Sequence, residues 1–162
     1  MSELATMAGA VADLLKANKQ TVAVAESSSG GLIAASLLAV PGASAYFLGG
    51  TVIYTLKARR ELLGIPDEVL KGLKPLTEDY VRLCARQIRE KLGTTWGIAE
   101  LGATGPTGTR YGHPPGISVL AVSGPVERTE RLETGSDDRT ANMWRFTETA
   151  LTLLETAIKE SA

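Results

Sequence analysis

Three serines and two glycines stand between a short apolar run and an apolar helical pattern, in the stretch E-S-S-S-G-G at residues 26–31. The run before them, residues 21–25, is typical of a short buried strand, and the pattern after them predicts a helix that ends before Pro41. The first N–H groups of a helix have no partner within the helix, and with the helix dipole they attract anions. The junction therefore fits a phosphate site, or an exposed nucleophilic hydroxyl on a tight turn.

A structural explanation accounts for the same residues equally well. A serine can cap a helix by accepting a hydrogen bond from its backbone, and glycines permit tight turn geometry. The stretch is not a Walker motif, because no Gly-Lys-Ser/Thr follows the glycines. The local residues leave both interpretations open.

A second candidate region is the segment 102–116, which contains five glycines and three prolines. It follows a predicted strand, and loops longer than about 12 residues are usually functional or disordered. In open α/β sheets, ligands bind at the carboxyl ends of the strands, where this loop begins. The loop carries His113, the one histidine of the chain, so a Ser-His-Asp triad or a histidine-based zinc site would have to use it. His113 is either a general base or a solvated loop residue.

Tyr54 and three cations form the third candidate. Tyr54 ends a predicted strand, and Lys57, Arg59 and Arg60 follow at the start of a helix. A positive charge stabilises a nearby phenolate, so the tyrosine and a cation could act as an acid/base pair. A solvated basic helix face accounts for the same residues without any chemistry.

Predicted helices and strands alternate along the chain, and this order defines the scaffold for these residues. Strands are predicted at 21–25, 49–55, 95–103 and 117–123, with an exposed or edge strand within 127–135. Helices are predicted at 2–17, 32–40 and 57–64, from the cap Thr77 to Gly93, and from near Asp137 onward. The alternation predicts an α/β fold, a single domain over residues 1–162 with helices on both faces of one sheet. Because the last two strands could form a hairpin, we expect a mixed sheet.

Composition argues against several classes of protein. The chain has 162 residues, 44% of them hydrophobic and 22% charged, with a formal net charge of −1. The mixed charges form no basic patch for nucleic acid, and no apolar run approaches the roughly 20 residues that span a bilayer. The sequence does not open like a secretion signal, so we expect a cytoplasmic protein with no membrane contact. The one cysteine, Cys84, lies on the apolar face of a predicted helix and is expected to be inert core.

Five segments in order resemble the CinA carboxy-terminal domain family, the stand-alone nicotinamide mononucleotide deamidases. That family carries A-E-S-C-T-G-G after its first strand, and residues 25–31 here are A-E-S-S-S-G-G. A family segment with S-S-A before an aromatic residue matches P-G-A-S-A-Y-F at 41–47. The family then has a strand that ends in tyrosine, which matches V-I-Y at 52–54, and a later L-G-V, which matches L-L-G-I at 62–65. The family loop G-I-A-G-P-x-G-G corresponds to G-A-T-G-P-T-G at 102–108, and a late G-D-R corresponds to S-D-D-R at 136–139.

The resemblance implies a three-layer α/β/α domain that hydrolyses the carboxamide of nicotinamide mononucleotide to nicotinic acid mononucleotide and ammonia. Family members act in pyridine nucleotide salvage, need no metal and are often dimeric, so we expect no cofactor, a nucleotide substrate and a homodimer. Carried over, Ser27 would be the nucleophile and Tyr54 its acid/base neighbour, with Arg59 beside them. The positions expected to hold the nucleotide or the transition state are Ser29, Gly30, Gly31, Ser44, Thr104, Gly105 and Arg139.

The chain departs from the family pattern five residues after the tyrosine. The family has Y-S-N-x-x-K there and this chain has Y-T-L-K-A-R at 54–59, so Arg59 stands at the lysine position. A buried lysine can lose its proton and act as a base, whereas arginine, with a pKa above about 12, keeps its proton. Arg59 could still steady an oxyanion, and Lys57 could substitute as the base if the chain is not helical there.

Three functions therefore remain open from the sequence. The first is a deamidase-like amidohydrolase that depends on Ser27. The second is a divergent paralogue that binds a nucleotide or other ligand with weak or no deamidase activity. The third is an amidase or esterase that uses Ser27, His113 and an acid.

Overall fold

A computed structural model describes residues 2–162, and within them the chain forms six α-helices and five β-strands. The helices are α1 (Glu3–Asn18), α2 (Leu32–Leu38), α3 (Leu56–Leu63), α4 (Asp67–Lys71), α5 (Glu78–Leu92) and α6 (Arg139–Ser161). The strands are β1 (Val22–Glu26), β2 (Phe47–Val52), β3 (Trp96–Ala103), β4 (Ile117–Ser123) and β5 (Arg128–Glu133). A short 3-10 helix, Ala43–Ala45, precedes β2.

The strands form one mixed sheet in the order β2-β1-β3-β4-β5. β1 pairs in parallel with both β2 and β3, whereas β4 is antiparallel to β3 and to β5. The final hairpin joins two adjacent strands, as antiparallel pairs with short connections do. The prediction of a mixed sheet is therefore confirmed.

Helices cover both faces of the sheet. On one face, α1, α2 and α6 pack a fully buried cluster that includes Leu15, Val24 and Ile33. On the other face, α3 and α5 pack a second buried cluster with Leu63, Ile88 and the inert Cys84, whose thiol pKa burial raises to about 12. The three-layer α/β/α arrangement is thus confirmed.

Most predicted element ends are also confirmed. Ser2 and Thr77 cap α1 and α5 by accepting hydrogen bonds from backbone N–H groups, and Gly64 and Gly93 end α3 and α5 in the left-handed conformation. The second strand differs, because β2 ends at Val52 and not at residue 55. The hydroxyl of Thr55 instead accepts from the N–H of Ala58 and caps α3. The short helix α4 was not predicted.

The pairing brings the three candidate regions to a single edge of the sheet. Glu26 at the end of β1 lies between Val52 of β2 and Glu100 of β3, and Ala103 pairs with Ile117. This edge, called the carboxyl edge below, carries the serine-rich stretch, Tyr54 and the loop after β3. Among the described helices, none is both long and apolar enough to cross a membrane.

Candidate active site

The serine turn, defined as residues 27–31, connects β1 to α2. The N–H of Gly30 donates to the carbonyl of Ser27 over 3.1 Å, which closes the turn. Gly30 and Gly31 have φ values of +67° and +105°, which only glycine adopts readily. A Cβ on Gly30 would also lie 3.0 Å from the terminal methyl of Met143. Both glycines are therefore required by the turn itself.

The start of α2 is capped by the carboxylate of Glu26, the residue just before the turn. Its Oε1 accepts from the N–H groups of Gly31 and Ile33 at 3.0 and 3.1 Å, and its Oε2 accepts from Ala34 at 2.9 Å. These are the N–H groups that the sequence suggested for a phosphate. The anion at this helix end is the chain's own carboxylate, which occupies these three N–H groups.

A second buried carboxylate, Glu100 of β3, also holds the serine turn. Its Oε1 accepts from the N–H groups of Ser27 and Ser29 at 3.0 and 2.9 Å, and its Oε2 accepts from the hydroxyl of Ser28. Burial raises the pKa of Glu100, and its hydrogen bonds with Ser28 and Ser29 act in the opposite direction. No ion pair reaches Glu100 within residues 2–162. It is a fully buried carboxyl whose partners are all on the turn.

The hydroxyl of Ser29 links the two carboxylates. It lies 2.6 Å from Oε1 of Glu26 and 2.8 Å from Oε1 of Glu100, and Ser29 is fully buried. Gly102, on β3, leaves room for this cluster: a Cβ there would lie 2.7 Å from Oγ of Ser28 and 3.0 Å from Oε2 of Glu100. The hydroxyl of Ser29, predicted as a substrate contact, is thus engaged by the two glutamates that flank the turn.

The hydroxyl of Ser27 is different, because it has no hydrogen-bond partner in the described part of the chain. Ser27 is 4% exposed, and no fully buried side-chain oxygen among residues 2–162 lacks a partner. The oxygen of Ser27 therefore still reaches solvent. It is a largely buried hydroxyl that keeps some solvent contact, on a turn held by two carboxylates.

Tyr54 and Arg59 lie at the same edge but do not hydrogen-bond to Ser27 within the described residues. The guanidinium of Arg59 donates to the carbonyl of Ile53 over 3.0 Å and to that of Tyr54 over 3.4 Å. It also donates to the Tyr80 hydroxyl over 3.1 Å and lies 5.3 Å from the centre of that ring. The side chain of Tyr54 is 57% exposed. Arg59 therefore fixes the backbone that follows β2.

Tyr80, on α5, was missed by the sequence interpretation as a partner of Arg59. It is buried, and this raises the pKa of its hydroxyl, with the hydrogen bond from Arg59 acting in the opposite direction. Only its position on the apolar face of a helix was visible in the sequence, and that pattern predicts core packing. It gave no sign of the cation that packs against the ring.

The loop after β3 is tied to the start of α6. Arg139 donates to the carbonyl of Gly105, and Asn142 donates to the carbonyl of Thr104 over 2.9 Å. A Cβ on Gly105 would lie 2.8 Å from the carbonyl oxygen of Asp137, so the loop backbone packs closely against this segment. Three predicted site residues, Thr104, Gly105 and Arg139, therefore lie close together. Asn142, which also holds this loop, was not predicted from the sequence.

His113 is engaged within its own loop. Its ring Nδ1 lies 3.0 Å from the hydroxyl oxygen of Thr109, and its backbone N–H donates to the same oxygen over 3.1 Å. Among residues 2–162, His113 makes no hydrogen bond to the serine turn. A cavity of 660 Å³ lies beside this loop, and its lining includes Pro115, Glu133 and Asp137.

Ser44 is the predicted site residue that the structure places elsewhere. It lies in the 3-10 helix before β2, and β2 starts beside Val22 at the beginning of β1. Because β1 and β2 run in parallel, Ser44 and Ser27 lie at opposite edges of the sheet. A strand rises about 3.3 Å per residue, so the length of β2 separates them by more than about 15 Å within one chain.

No group of three or more His, Cys, Asp or Glu side chains in the described part of the chain could hold a metal ion. The chemistry that the site offers on its own is that of hydroxyls, carboxyls and backbone N–H groups. Such groups can supply a nucleophile and a proton acceptor for acyl transfer.

Comparison with known proteins places the chain in a family. A sequence model of the CinA C-terminal domain matches residues 4–158. The CinA-like protein of Parasynechococcus marenigrum (strain WH8102) is 42% identical over 120 residues, which cover 74% of this chain and 29% of that protein. The CinA-like protein of Salinibacter ruber is 35% identical over 146 residues, covering 90% of this chain and 35% of that protein. The chain thus spans about a third of the length of these curated relatives.

Solved structures agree with the sequence matches. A competence-damaged protein (CinA) superfamily protein of Klebsiella pneumoniae superposes with a TM-score of 0.90 at 26% identity, covering 98% of this chain and 99% of that one. A competence/damage inducible protein of Agrobacterium tumefaciens gives a TM-score of 0.88 at 26% identity, covering 98% and 97%. From the family match and these structures, the chain belongs to the CinA C-terminal domain family.

Proposed function

We propose that this chain is an amidohydrolase in which a hydroxyl of the serine turn attacks a carboxamide, with nicotinamide mononucleotide as the substrate. The reaction would yield nicotinic acid mononucleotide and ammonia, a step of pyridine nucleotide salvage in the cytoplasm. The observation that carries the proposal is the solvent-reaching hydroxyl of Ser27 on a turn that Glu26 and Glu100 hold at the carboxyl edge. This is the edge where α/β sheets bind ligands.

Substrate contacts are assigned to the same edge. Tyr54 is the exposed acid/base group, and Gly30, Gly31 and the loop carrying Thr104 and Gly105 would border the bound nucleotide. Arg139 holds that loop through the carbonyl of Gly105 and offers the positive charge that a phosphate needs. Ser44 would reach a site only from a second copy, because it lies at the opposite edge of its own sheet.

The second copy is itself part of the proposal. We infer a homodimer, which the family resemblance implies and which exposed apolar side chains on the outer strand β2 support. Leu48 and Val52 of β2 are 50% and 42% exposed, and in the described part of the chain β2 pairs with β1 on one side only. An unpaired strand edge with exposed apolar groups readily pairs with another chain.

The reaction is tested by measuring ammonia release and nicotinic acid mononucleotide from purified protein and nicotinamide mononucleotide between pH 6 and 9. The double variant Ser27→Ala/Ser28→Ala removes both hydroxyls that are not buried between the glutamates, and we expect it to lose all turnover. Ser123→Ala, at the opposite end of the sheet, is the matched control. Wild-type protein that releases no ammonia contradicts the proposal for this substrate.

A second function has an observation in its favour. Arg59 occupies the family's lysine position and is engaged by two backbone carbonyls, so it supplies no proton acceptor. The alternative is a protein that binds a nucleotide without hydrolysing it. It predicts a higher melting temperature with nicotinamide mononucleotide and no ammonia, which the same samples report in a thermal shift measurement.

A further inference from the structure

Two neighbouring hydroxyls of the serine turn differ in what they contact. The hydroxyl of Ser27 has no partner in the described part of the chain, whereas that of Ser28 donates to Oε2 of Glu100. An activated serine is recognised by a hydrogen bond to a base that further groups hold in place. Of the two serines, Ser28 has this contact.

Glu100 is held for such a role by its other oxygen. Oε1 accepts from the N–H groups of Ser27 and Ser29 at 3.0 and 2.9 Å and lies 2.8 Å from the hydroxyl of Ser29. These contacts fix the carboxyl plane and leave Oε2 to face Ser28. Within residues 2–162 no cation pairs with Glu100, and burial raises its pKa, which makes a carboxylate a stronger proton acceptor.

We propose that Ser28 and Glu100 form the nucleophile–base pair of this site, so that Ser28 attacks the carboxamide while Glu100 takes its proton. The inference rests on the proposed amidohydrolase function and replaces Ser27 with Ser28 as the attacking residue. It also explains how the chain obtains a base although arginine stands at the family's lysine position. The accessible Ser27 then borders the substrate.

The atoms balance in two half-reactions. In the first, Oγ of Ser28 bonds to the carboxamide carbon and its proton moves to Oε2 of Glu100. The tetrahedral intermediate then breaks its C–N bond, and the same proton leaves with the nitrogen as ammonia, which leaves an ester on Ser28. In the second, water attacks the ester, Glu100 takes a proton from it and returns one to Ser28, and the carboxylic acid is released.

The first test distinguishes a catalytic base from a carboxyl that only holds the serine turn in place. Glu100→Gln keeps an oxygen for the N–H groups of Ser27 and Ser29 but presents an NH2 group to Ser28, which cannot take a proton. We expect Glu100→Gln and Ser28→Ala each to lower kcat for ammonia release by about 100-fold or more, the usual range for losing a general base or a nucleophile. Glu127→Gln, a carboxyl at the far end of the sheet, and Ser123→Ala are the matched controls. Thermal unfolding establishes that each variant is folded.

A second readout does not depend on the substrate. A fluorophosphonate, which labels activated serines, is incubated with the wild-type protein, and tandem mass spectrometry locates the adduct. We expect the adduct on Ser28, and we expect Glu100→Gln to abolish it. If Glu100→Gln does not fold, Ser28→Ala and the position of the adduct decide the question.

The outcomes separate this inference from the function on which it rests. Labelling at Ser28 without ammonia release contradicts nicotinamide mononucleotide as the substrate and supports the pair. Ammonia release with the adduct on Ser27, or with wild-type rates in Ser28→Ala or Glu100→Gln, overturns the pair and supports the function. Wild-type protein that is labelled at neither serine overturns the pair as well.

Discussion

At the scale of single residues, the hydrogen bonds of Arg59 depend on its being an arginine. Lysine and arginine carry the same charge, but arginine presents a planar fork of donors. Here the fork reaches the carbonyls of Ile53 and Tyr54 and the hydroxyl of Tyr80. Arg59 thus connects the segment that follows β2 to α5, and its part in catalysis stays a prediction.

We therefore predict that Arg59→Lys weakens the fold without raising activity. A lysine can reach one of these acceptors at a time, so we expect the free energy of unfolding to fall by about 1–2 kcal/mol. Beside those carbonyls a lysine stays protonated, so ammonia release should not increase. Urea denaturation and the ammonia assay test both parts, with Arg60→Lys, on the exposed side of α3, as the control. A gain in turnover would show that the missing lysine limits the reaction, and the pair of Ser28 and Glu100 would not be needed.

At the scale of secondary structure elements, β3 and the serine turn form one packed unit. The space that a Cβ on Gly102, near the end of β3, would need is taken by Oγ of Ser28 and by the ring of Phe146 on α6. Close approach of this kind explains a glycine inside a strand. The strand therefore sets the position of the hydroxyl that faces Glu100.

Gly102→Ala is predicted to disturb this unit. The added Cβ would lie 2.7 Å from Oγ of Ser28 and 2.8 Å from Cε2 of Phe146, so one of them has to move. We expect the free energy of unfolding to fall by about 1–3 kcal/mol. We also expect the rate of ammonia release to fall, because Ser28 is displaced. Gly9→Ala in α1, where nothing lies within 4 Å, should instead be neutral or stabilising by up to about 1 kcal/mol. Unchanged stability and activity in Gly102→Ala would contradict the close contact.

At the scale of the whole molecule, one edge of the sheet carries the candidate site residues, and the outer strand β2 carries exposed apolar groups. β2 belongs to both, because its carboxyl end leads to Tyr54 and no other strand formed by residues 2–162 pairs with its outer side. Association through β2 would bring residues of a second chain close to this region. In the proposed homodimer, the interface and the candidate site would therefore share one strand.

The homodimer is predicted to depend on β2. Leu48→Lys places a charge at a half-exposed apolar position, so we expect it to shift the protein from dimer to monomer in analytical ultracentrifugation. Val69→Lys, at a similarly exposed position on α4, should leave the dimer unchanged. A wild-type protein that sediments as a monomer would exclude the homodimer, and a dimeric Leu48→Lys variant would place the interface elsewhere.

The sequence by itself determined the order and type of nearly all elements, because local periodicity and caps encode them. Alternating helices and strands predicted the layered fold, and Thr77 and Gly93 marked the ends of α5 within a residue. The E-S-S-S-G-G stretch indicated the turn for the same reason, because serines and glycines favour turn conformations locally. β2 was misplaced by a few residues because Thr55 fits a strand and a helix cap equally well.

Only the tertiary structure decided which groups meet. Glu26 and Glu100 become neighbours because β1 and β3 pair in parallel in that register, and strand order is not encoded in the periodicity of either segment. The one signal was an acid inside an apolar strand, which has to find buried partners. The same pairing separates Ser44 from Ser27 by the length of β2. It also gives the three adjacent serines different surroundings: the hydroxyl of Ser29 lies between the two glutamates, that of Ser28 donates to Glu100, and that of Ser27 keeps some solvent contact.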